Sequence, residues 1–177
     1  MRRSVSALSA LLLAATLGLA ACGEDTPETT STPEATEAST ASDDSAGASI
    51  PKVSGKVGST PTVAKPEGEP PTEVQAKDLV VGEGVEATEG ANVTVDYHLV
   101  KWSDGSVVES SFTAGEPATF NLNGLIPCWQ DELPGMKEGG RRVLVCTPDS
   151  AYGPAGSGSP LGGETLVFVI DLKSVNS

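Results

Sequence analysis

The C-terminal half of this chain predicts an α+β domain, in which several antiparallel strands bury one face of their sheet on one short helix. Residues 93–99 alternate between apolar and polar side chains, which is typical of a half-buried strand. Asp104 and Gly105 lie between two valine-bearing segments and indicate a tight hairpin turn. Residues 126–136 are the one stretch with a helical pattern.

The strand pattern recurs along the domain. Alternation in residues 93–99 directs the side chain of Tyr97 inward and that of His98 outward. We predict further strands over residues 75–81, 141–147 and 165–172, which are rich in apolar and β-branched side chains. These segments are too many and too short for a helical fold, so the sheet dominates the prediction.

The predicted helix is short because two prolines bound it. Pro127 fits the first turn, where its missing N–H costs nothing. Pro134 lacks the N–H that a longer helix would need. One short helix therefore has to cover one face of the sheet.

The first 21 residues are typical of an export signal, because Arg2 and Arg3 precede an apolar run that ends in Leu-Ala-Ala-Cys at 19–22. The run is too rich in small residues for a transmembrane helix, which needs about 20 predominantly apolar residues. It resembles a bacterial lipoprotein signal, so we expect export and a lipid on Cys22 that anchors the protein to the outer face of the membrane. An ordinary signal peptide with an incidental cysteine is the alternative.

Residues 22–49 predict a tether between this signal and the domain. From residue 23 onward they are almost entirely Thr, Ser, Ala, Pro, Glu, Asp and Gly, with seven acids and no Lys or Arg. Such a composition buries too little to offset the entropy of ordering, so we expect disorder. The Thr and Ser residues fit a solvated spacer or a stalk for sugar attachment.

The predicted domain, residues 50–177, is acidic. It has nine Lys and Arg against seventeen Asp and Glu, a net charge of −8. We expect no nucleic-acid partner, because this surface repels phosphate and has no basic stripe. All seven aromatic residues of the chain lie between Tyr97 and Phe168, which indicates one core and one pocket. The length suits a single domain, and we expect a monomer.

Residues with reactive side chains form few recognisable sites. The one histidine, His98, has no Cys or second His at ligand spacing, so we interpret it as a solvated strand residue and expect no metal or other cofactor. Asp131, Glu132 and Glu109 leave a glycosidase-type carboxylate pair open, without a motif. The glycine-rich run 153–158 lacks the ending of a phosphate-binding loop, and no serine stands in a Gly-x-Ser-x-Gly frame.

Short motifs spread along the domain form a recognisable series. They are Val-Asp-Tyr at 95–97, Val-Glu-Ser-Ser at 108–111, Leu-Ile-Pro-Cys-Trp at 125–129, Gly-Met-Lys at 135–137, Ala-Tyr-Gly at 151–153 and Thr-Leu-Val-Phe at 165–168. In this order and spacing the chain resembles the FKBP-type peptidyl-prolyl cis-trans isomerases over roughly residues 70–175. The resemblance implies a bent antiparallel β-sheet wrapped around one short α-helix, with an apolar pocket between them.

The resemblance also implies roles for individual pocket residues. Those implied in catalysis are Tyr97, Ile126, Trp129, Tyr152 and Phe168, and those implied in substrate binding are Val108, Glu109, Phe120 and Leu125. Trp129 would form the pocket floor, while the backbone N–H of Ile126 and the hydroxyl of Tyr152 would bind substrate carbonyls. Alternation alone is equally consistent with plain core packing of these side chains.

Three positions depart from the family pattern. Val108 and Ala118 stand where aromatic residues are usual, and Glu109 replaces an aspartate. Each truncated apolar contact loses roughly 1–3 kcal/mol, so we expect a wider pocket and reduced catalytic efficiency.

Two cysteines remain once Cys22 carries a lipid, and they predict a disulfide. Cys128 opens the helix, and Cys146 lies on the strand face that should meet it. Export places both in an oxidising compartment, where such pairs form. Two buried free thiols are the alternative.

The function expected from this resemblance is prolyl isomerisation of proline-containing polypeptides outside the membrane. The reaction breaks no covalent bond, so a pocket without a nucleophile suits it. A catalytically weak or inactive module that binds proline-containing or unfolded segments is the main alternative. A spacer or adhesive domain that uses only the fold is a third.

Overall fold

The computed structural model describes residues 50–176. The predicted export signal, Cys22 and the predicted tether lie outside these residues. The strands are β1 (Val53–Ser54), β2 (Thr62–Val63), β3 (Gln75–Val80), β4 (Asn92–Lys101), β5 (Val107–Ser110), β6 (Ala118–Asn121), β7 (Arg141–Cys146) and β8 (Leu166–Asn176). The helices are α1 (Ser111–Ala114) and α2 (Pro127–Glu132), with a 3-10 turn at Leu122–Gly124. In residues 50–176, no helix has the length and apolar character needed to cross a membrane.

Strands β3 to β8 form one antiparallel sheet, and β1 pairs with β2 in a separate hairpin. The sheet order is β3-β7-β8-β4-β5, with β6 pairing along the other half of β4. This architecture confirms the predicted α+β class. The four strands predicted with bounds agree with β3, β4, β7 and β8 to within one or two residues, except that β8 continues to Asn176, and β6 was not predicted.

Local sequence accounts for the hairpin between β4 and β5. Gly105 adopts a left-handed conformation with φ 74°, which glycine reaches without strain. The N–H of Lys101 donates to the carbonyl of Ser106 over 3.0 Å and closes the turn. The Asp-Gly signal therefore predicts the turn correctly.

Helix α2 lies where the two prolines place it. Pro127 occupies its first turn after the extended residue Ile126, and the helix ends at Glu132, two residues before Pro134. Its buried residues are Cys128 and Trp129, which pack on one face of the sheet. We call this face of the sheet, with the core beneath α2, the pocket face.

Cys128 and Cys146 tie α2 to β7. The structure joins them as a disulfide with their Cα atoms 5.8 Å apart, a separation normal for such a bond. Both side chains are buried. The geometry therefore agrees with the predicted pairing.

The opposite face of the sheet, which we call the back face, is covered as well. Val143, Val145, Val167 and Val169 are fully buried there, together with Trp102. Apolar side chains of the hairpin β1–β2 and its flanks pack onto them: Ile50, Val53 and Val63. The sequence did not predict this hairpin.

The covered back face corrects the interpretation of His98. Its side chain does lie on the face opposite to Tyr97, as alternation predicts, but it is only 7% exposed. Its Nδ1 atom is buried without a hydrogen-bond partner in the structure. The prediction of a solvated histidine is therefore wrong, because it assumed that this face meets water.

A buried ion pair holds the hairpin β1–β2 to the back face. The guanidinium of Arg141 pairs with both carboxylate oxygens of Asp171, at 2.8 Å for the Nη2 to Oδ2 pair. It also donates to the backbone carbonyls of Gly55 at 3.1 Å and Ser59 at 2.8 Å. The N–H of Gly58 donates a hydrogen bond of 2.6 Å to the Oδ2 atom of Asp171. Both charged groups are thus satisfied in a nearly water-free position.

Candidate active site

A cavity of about 300 Å³ opens on the pocket face, beside α2. The side chains that line it are Tyr97, Leu99, Glu109, Phe120, Leu125, Ile126, Trp129, Tyr152 and Phe168. Eight of these nine were expected from the sequence. The structure therefore brings together residues that lie as far apart along the chain as Tyr97 and Phe168.

Three strands and one helix supply four of the five pocket aromatics, and the fifth, Tyr152, comes from the loop between β7 and β8. Tyr97 extends from β4, Phe120 from β6 and Phe168 from β8, while Trp129 comes from α2. Phe120 lies opposite Val93 and Phe168 opposite Leu99, so these two rings extend the wall to either side of Tyr97 along β4, on the same face of the sheet. The sheet and α2 thus supply most of the aromatic wall, and loop residues complete the cavity.

Trp129 lies at the centre of the aromatic group. Its ring is 5.9 Å from those of Tyr97 and Phe120 and 5.4 Å from that of Phe168, centroid to centroid. All three pairs meet edge to face, at interplanar angles of 80–89°. This is a favoured arrangement for aromatic quadrupoles, so the floor of the cavity is a packed, largely apolar surface.

Ile126 offers a polar group at the edge of this apolar cavity. Its carbonyl accepts hydrogen bonds from the N–H of Trp129 at 2.9 Å and of Gln130 at 3.2 Å. Its own N–H makes no hydrogen bond within residues 50–176. A free N–H at the start of a helix can donate to a ligand carbonyl.

Glu109 places a carboxylate near two phenols. Burial above all, together with the carboxylate of Glu109 as a hydrogen-bond acceptor and as a negative charge, raises the pKa of Tyr97 to about 12. Burial and the charge of Glu109 also raise the pKa of Tyr152. Both phenols are therefore neutral hydrogen-bond donors at physiological pH.

Val108 is not brought into the cavity. It lies on β5 with 38% of its side-chain surface exposed and does not line the cavity, whereas the neighbouring Glu109 does. Ala118 also lies outside the lining, in β6 opposite Val95. Leu99 is the lining residue that was not expected, although alternation puts it on the same face as Tyr97 and could have identified it.

A larger cavity of about 560 Å³ lies between the hairpin β1–β2 and β3. It is lined by three lysines, by Glu67 and by apolar side chains such as Ile50 and Leu79, and it contains none of the expected site residues. Size alone therefore does not identify the active site. The smaller aromatic cavity has the convergent polar groups that a binding site requires.

Comparison with known protein families places this cavity in context. The family model described as FKBP-type peptidyl-prolyl cis-trans isomerase matches residues 83–173, about half of the chain. The chain belongs to this family. The matched segment contains every residue that lines the aromatic cavity, whereas the hairpin β1–β2 precedes it.

Two relatives of this FKBP-type chain are bacterial proteins. A probable FK506-binding protein of Corynebacterium glutamicum is 49% identical over 114 residues, which cover 64% of this chain and 97% of that protein. The outer membrane protein MIP of Legionella longbeachae is 39% identical over 106 residues, or 59% of this chain and 45% of that one.

A solved structure supports the same assignment. The crystal structure of FkpA from Escherichia coli superposes with a TM-score of 0.55 at 34% identity, covering 59% of this chain and 49% of that chain. The chain is accordingly a peptidyl-prolyl isomerase of the FKBP type, with an antiparallel sheet and few short helices.

Proposed function

We propose that this isomerase acts on proline-containing, extended polypeptides that have been exported across the membrane, and that it works as a monomer. The observation that carries the proposal is the aromatic cavity, in which Tyr97, Ile126, Trp129, Tyr152 and Phe168 converge. No group in it needs to act as a nucleophile, because rotation of a prolyl amide forms and breaks no covalent bond.

The pocket can lower the barrier through its dryness. Rotation about the peptide C–N bond costs about 18–20 kcal/mol, since amide resonance is lost on the way. The planar amide is the more charge-separated form, so an apolar floor such as Trp129 stabilises it less than water does. The twisted amide loses less solvation free energy than the planar amide on entering the cavity, and this difference lowers the barrier to rotation.

Two donors can hold the substrate on either side of the rotating bond. The N–H of Ile126 and the hydroxyl of Tyr152 can donate to substrate carbonyls, and burial together with the charge of Glu109 raises the pKa of Tyr152 further above the physiological range. Fixed contacts of this kind convert binding energy into orientation. Tyr97 and Phe168 then confine the proline ring between the walls.

Export and lipid anchoring through Cys22 complete the proposal. The apolar run before Cys22 and the acidic composition of residues 23–49 support it. The disulfide between Cys128 and Cys146 fits an oxidising compartment, and one relative is named an outer membrane protein. In fractionated cells the wild-type chain should sediment with membranes and Cys22→Ser should be released. Retention of Cys22→Ser would contradict the anchor.

A non-catalytic binding module is the second candidate, because the exposed Val108 contributes nothing to the cavity wall. A protease-coupled proline isomerisation assay with the full-length protein in detergent separates the two functions. We expect acceleration above the uncatalysed rate with the wild type and its loss in Trp129→Leu. Binding of a proline peptide without any acceleration would favour the binding module. Val108→Ala is the matched control, and it should leave the rate unchanged.

A further inference from the structure

Strand β4 changes partners halfway along one edge. From Asn92 to Val95 it pairs with β6, and from His98 to Val100 it pairs with β5. Asp96 and Tyr97 lie in the gap between these two ladders. The backbone of the pocket tyrosine therefore lacks the strand partner that its neighbours have on this edge.

The hydroxyl of Ser111 fills that gap. It accepts a hydrogen bond of 2.9 Å from the backbone N–H of Tyr97. It donates in turn to the Oδ1 atom of Asp96 over 3.1 Å, and the serine is only 5% exposed. The side chain of Ser111 thus takes the place of a neighbouring strand as the acceptor for the backbone N–H of Tyr97, which would otherwise be buried without a partner.

The acceptor of Ser111 is itself held in place. The Oδ2 atom of Asp96 pairs with the ammonium of Lys173 on β8 at 3.1 Å. Because the hydroxyl of Ser111 donates its hydrogen bond to Asp96, a lone pair of the hydroxyl oxygen faces the N–H of Tyr97. The chain of contacts runs from β8 through Asp96 and Ser111 to the backbone of Tyr97, whose ring lines the cavity.

We propose that Ser111 is a positioning residue of the isomerase, which sets the place of the Tyr97 ring in the cavity by holding its backbone where β4 changes partners. The proposal rests on the function proposed above. It concerns a residue that lines no part of the cavity and acts only through Tyr97. Without the hydroxyl of Ser111, the N–H of Tyr97 has lost its acceptor, so the backbone of β4 shifts at Tyr97 and moves the ring that it carries.

The neighbouring residue provides a matched control. Ser110 has a buried hydroxyl with no hydrogen-bond partner in the structure, so its removal breaks no bond. Ser111→Ala and Ser110→Ala therefore delete the same atom one residue apart. Ser111→Thr retains the hydroxyl and serves as the conservative variant.

The test measures isomerase activity and the environment of Tyr97 in the full-length protein in detergent. The chain has two tyrosines, so 13C labelling at the phenolic carbon gives one signal for Tyr97 and one for Tyr152 as an internal reference. We expect Ser111→Ala to lower kcat/KM about tenfold, mostly in kcat, because small displacements of a catalytic contact are costly. The Tyr97 signal should move, and the Tyr152 signal should stay. Ser110→Ala and Ser111→Thr should resemble the wild type in kcat/KM and in the position of the Tyr97 signal.

Several results would overturn the proposal: an unchanged kcat/KM in Ser111→Ala, a loss as large in Ser110→Ala, or a Tyr97 signal that does not move. Amide hydrogen exchange of the wild type adds a test that survives misfolding of the variant. The Tyr97 amide should exchange as slowly as its neighbours in β4, and fast exchange would contradict the bond to Ser111. If the wild type itself shows no activity, the proposed function fails, and the Tyr97 signal and its exchange decide the positioning alone.

Discussion

The two faces of the sheet differ in what they bury. The pocket face carries aromatic rings around Trp129 and leaves a cavity among them. The back face carries valines and a buried ion pair, Arg141 with Asp171, and the hairpin β1–β2 covers it. One face is arranged around an aromatic cavity, whereas the other is covered by a separate hairpin.

The two faces of one sheet therefore serve different ends, ligand binding on the pocket face and stability of the fold on the back face. Rings that meet edge to face keep a cavity open, which core packing alone would close. The back face compensates with the ion pair of Arg141 and Asp171, which lies within the matched family region, and with apolar burial and two carbonyl acceptors from the hairpin β1–β2, which precedes that region. We therefore expect changes on the back face to affect mainly unfolding, and changes on the pocket face to affect mainly catalysis.

The largest expected effect is on the back face. Arg141→Met leaves the carboxylate of Asp171 buried without a partner and frees the carbonyls of Gly55 and Ser59. Losing one member of a buried pair costs about 3–5 kcal/mol, which urea unfolding would measure. Arg142→Met is the comparison variant: its pair with Asp78 is partly exposed and worth about 1 kcal/mol or less, and it also loses one hydrogen bond to the carbonyl of Glu132, so we expect a smaller loss than in Arg141→Met. Equal losses in both variants would contradict this account of the ion pair.

The disulfide should contribute next. It closes a loop between residues 18 apart in sequence, for which chain entropy predicts about 3 kcal/mol. Replacing Cys128 and Cys146 together by Ala should lower the free energy of unfolding by that order and remove its sensitivity to reductant. Mass measurement after thiol blocking should find both thiols protected in the unreduced wild type. Two blocked thiols there would show that the bond is not formed.

A matched pair of substitutions compares the faces directly. Phe120 lies in the pocket, whereas the ring of Phe112 stacks beneath the guanidinium of Arg141 at 5.9 Å. Phe120→Leu should lower kcat/KM about tenfold, because one wall contact of roughly 1–3 kcal/mol is lost. Phe112→Leu should leave kcat/KM unchanged while lowering stability. An equal loss of kcat/KM in both would mean that the faces are not separate in function.

The smallest expected effect is a pH dependence of stability from the back face. Burial lowers the pKa of His98 below its ordinary 6.5, so the unfolded chain takes up a proton at a higher pH than the folded protein. The free energy of unfolding should therefore fall as pH drops below about 6.5. Thermal melts from pH 7.5 to 5 would measure this fall, and His98→Gln should reduce it. The same slope in His98→Gln would assign it to other groups.

Much of the pocket face could be predicted because its signals are local. The alternation around Tyr97, the Asp-Gly turn and the prolines that bound α2 each determine structure over a few residues. The spaced motifs then identify which apolar side chains form one pocket, which alternation cannot do. Val108 was placed in the wall by this resemblance alone, and the structure leaves it outside the cavity.

The back face could not be predicted because its signals are distant. The strands of the hairpin β1–β2 have two residues each and carry no alternation, and their partner Arg141 lies more than 80 residues away. His98 was assigned to the correct face, but nothing local indicates that a separate segment covers that face. The role of Ser111 depends likewise on a change of strand partner that only the assembled sheet reveals.

The most direct test of the account is exchange spectroscopy of a proline peptide with a catalytic amount of the full-length protein in detergent. The cis and trans signals should exchange with the wild type and with Phe112→Leu, and much more slowly with Trp129→Leu. The absence of exchange with the wild type, or equal exchange with Trp129→Leu, would contradict catalysis in the aromatic cavity.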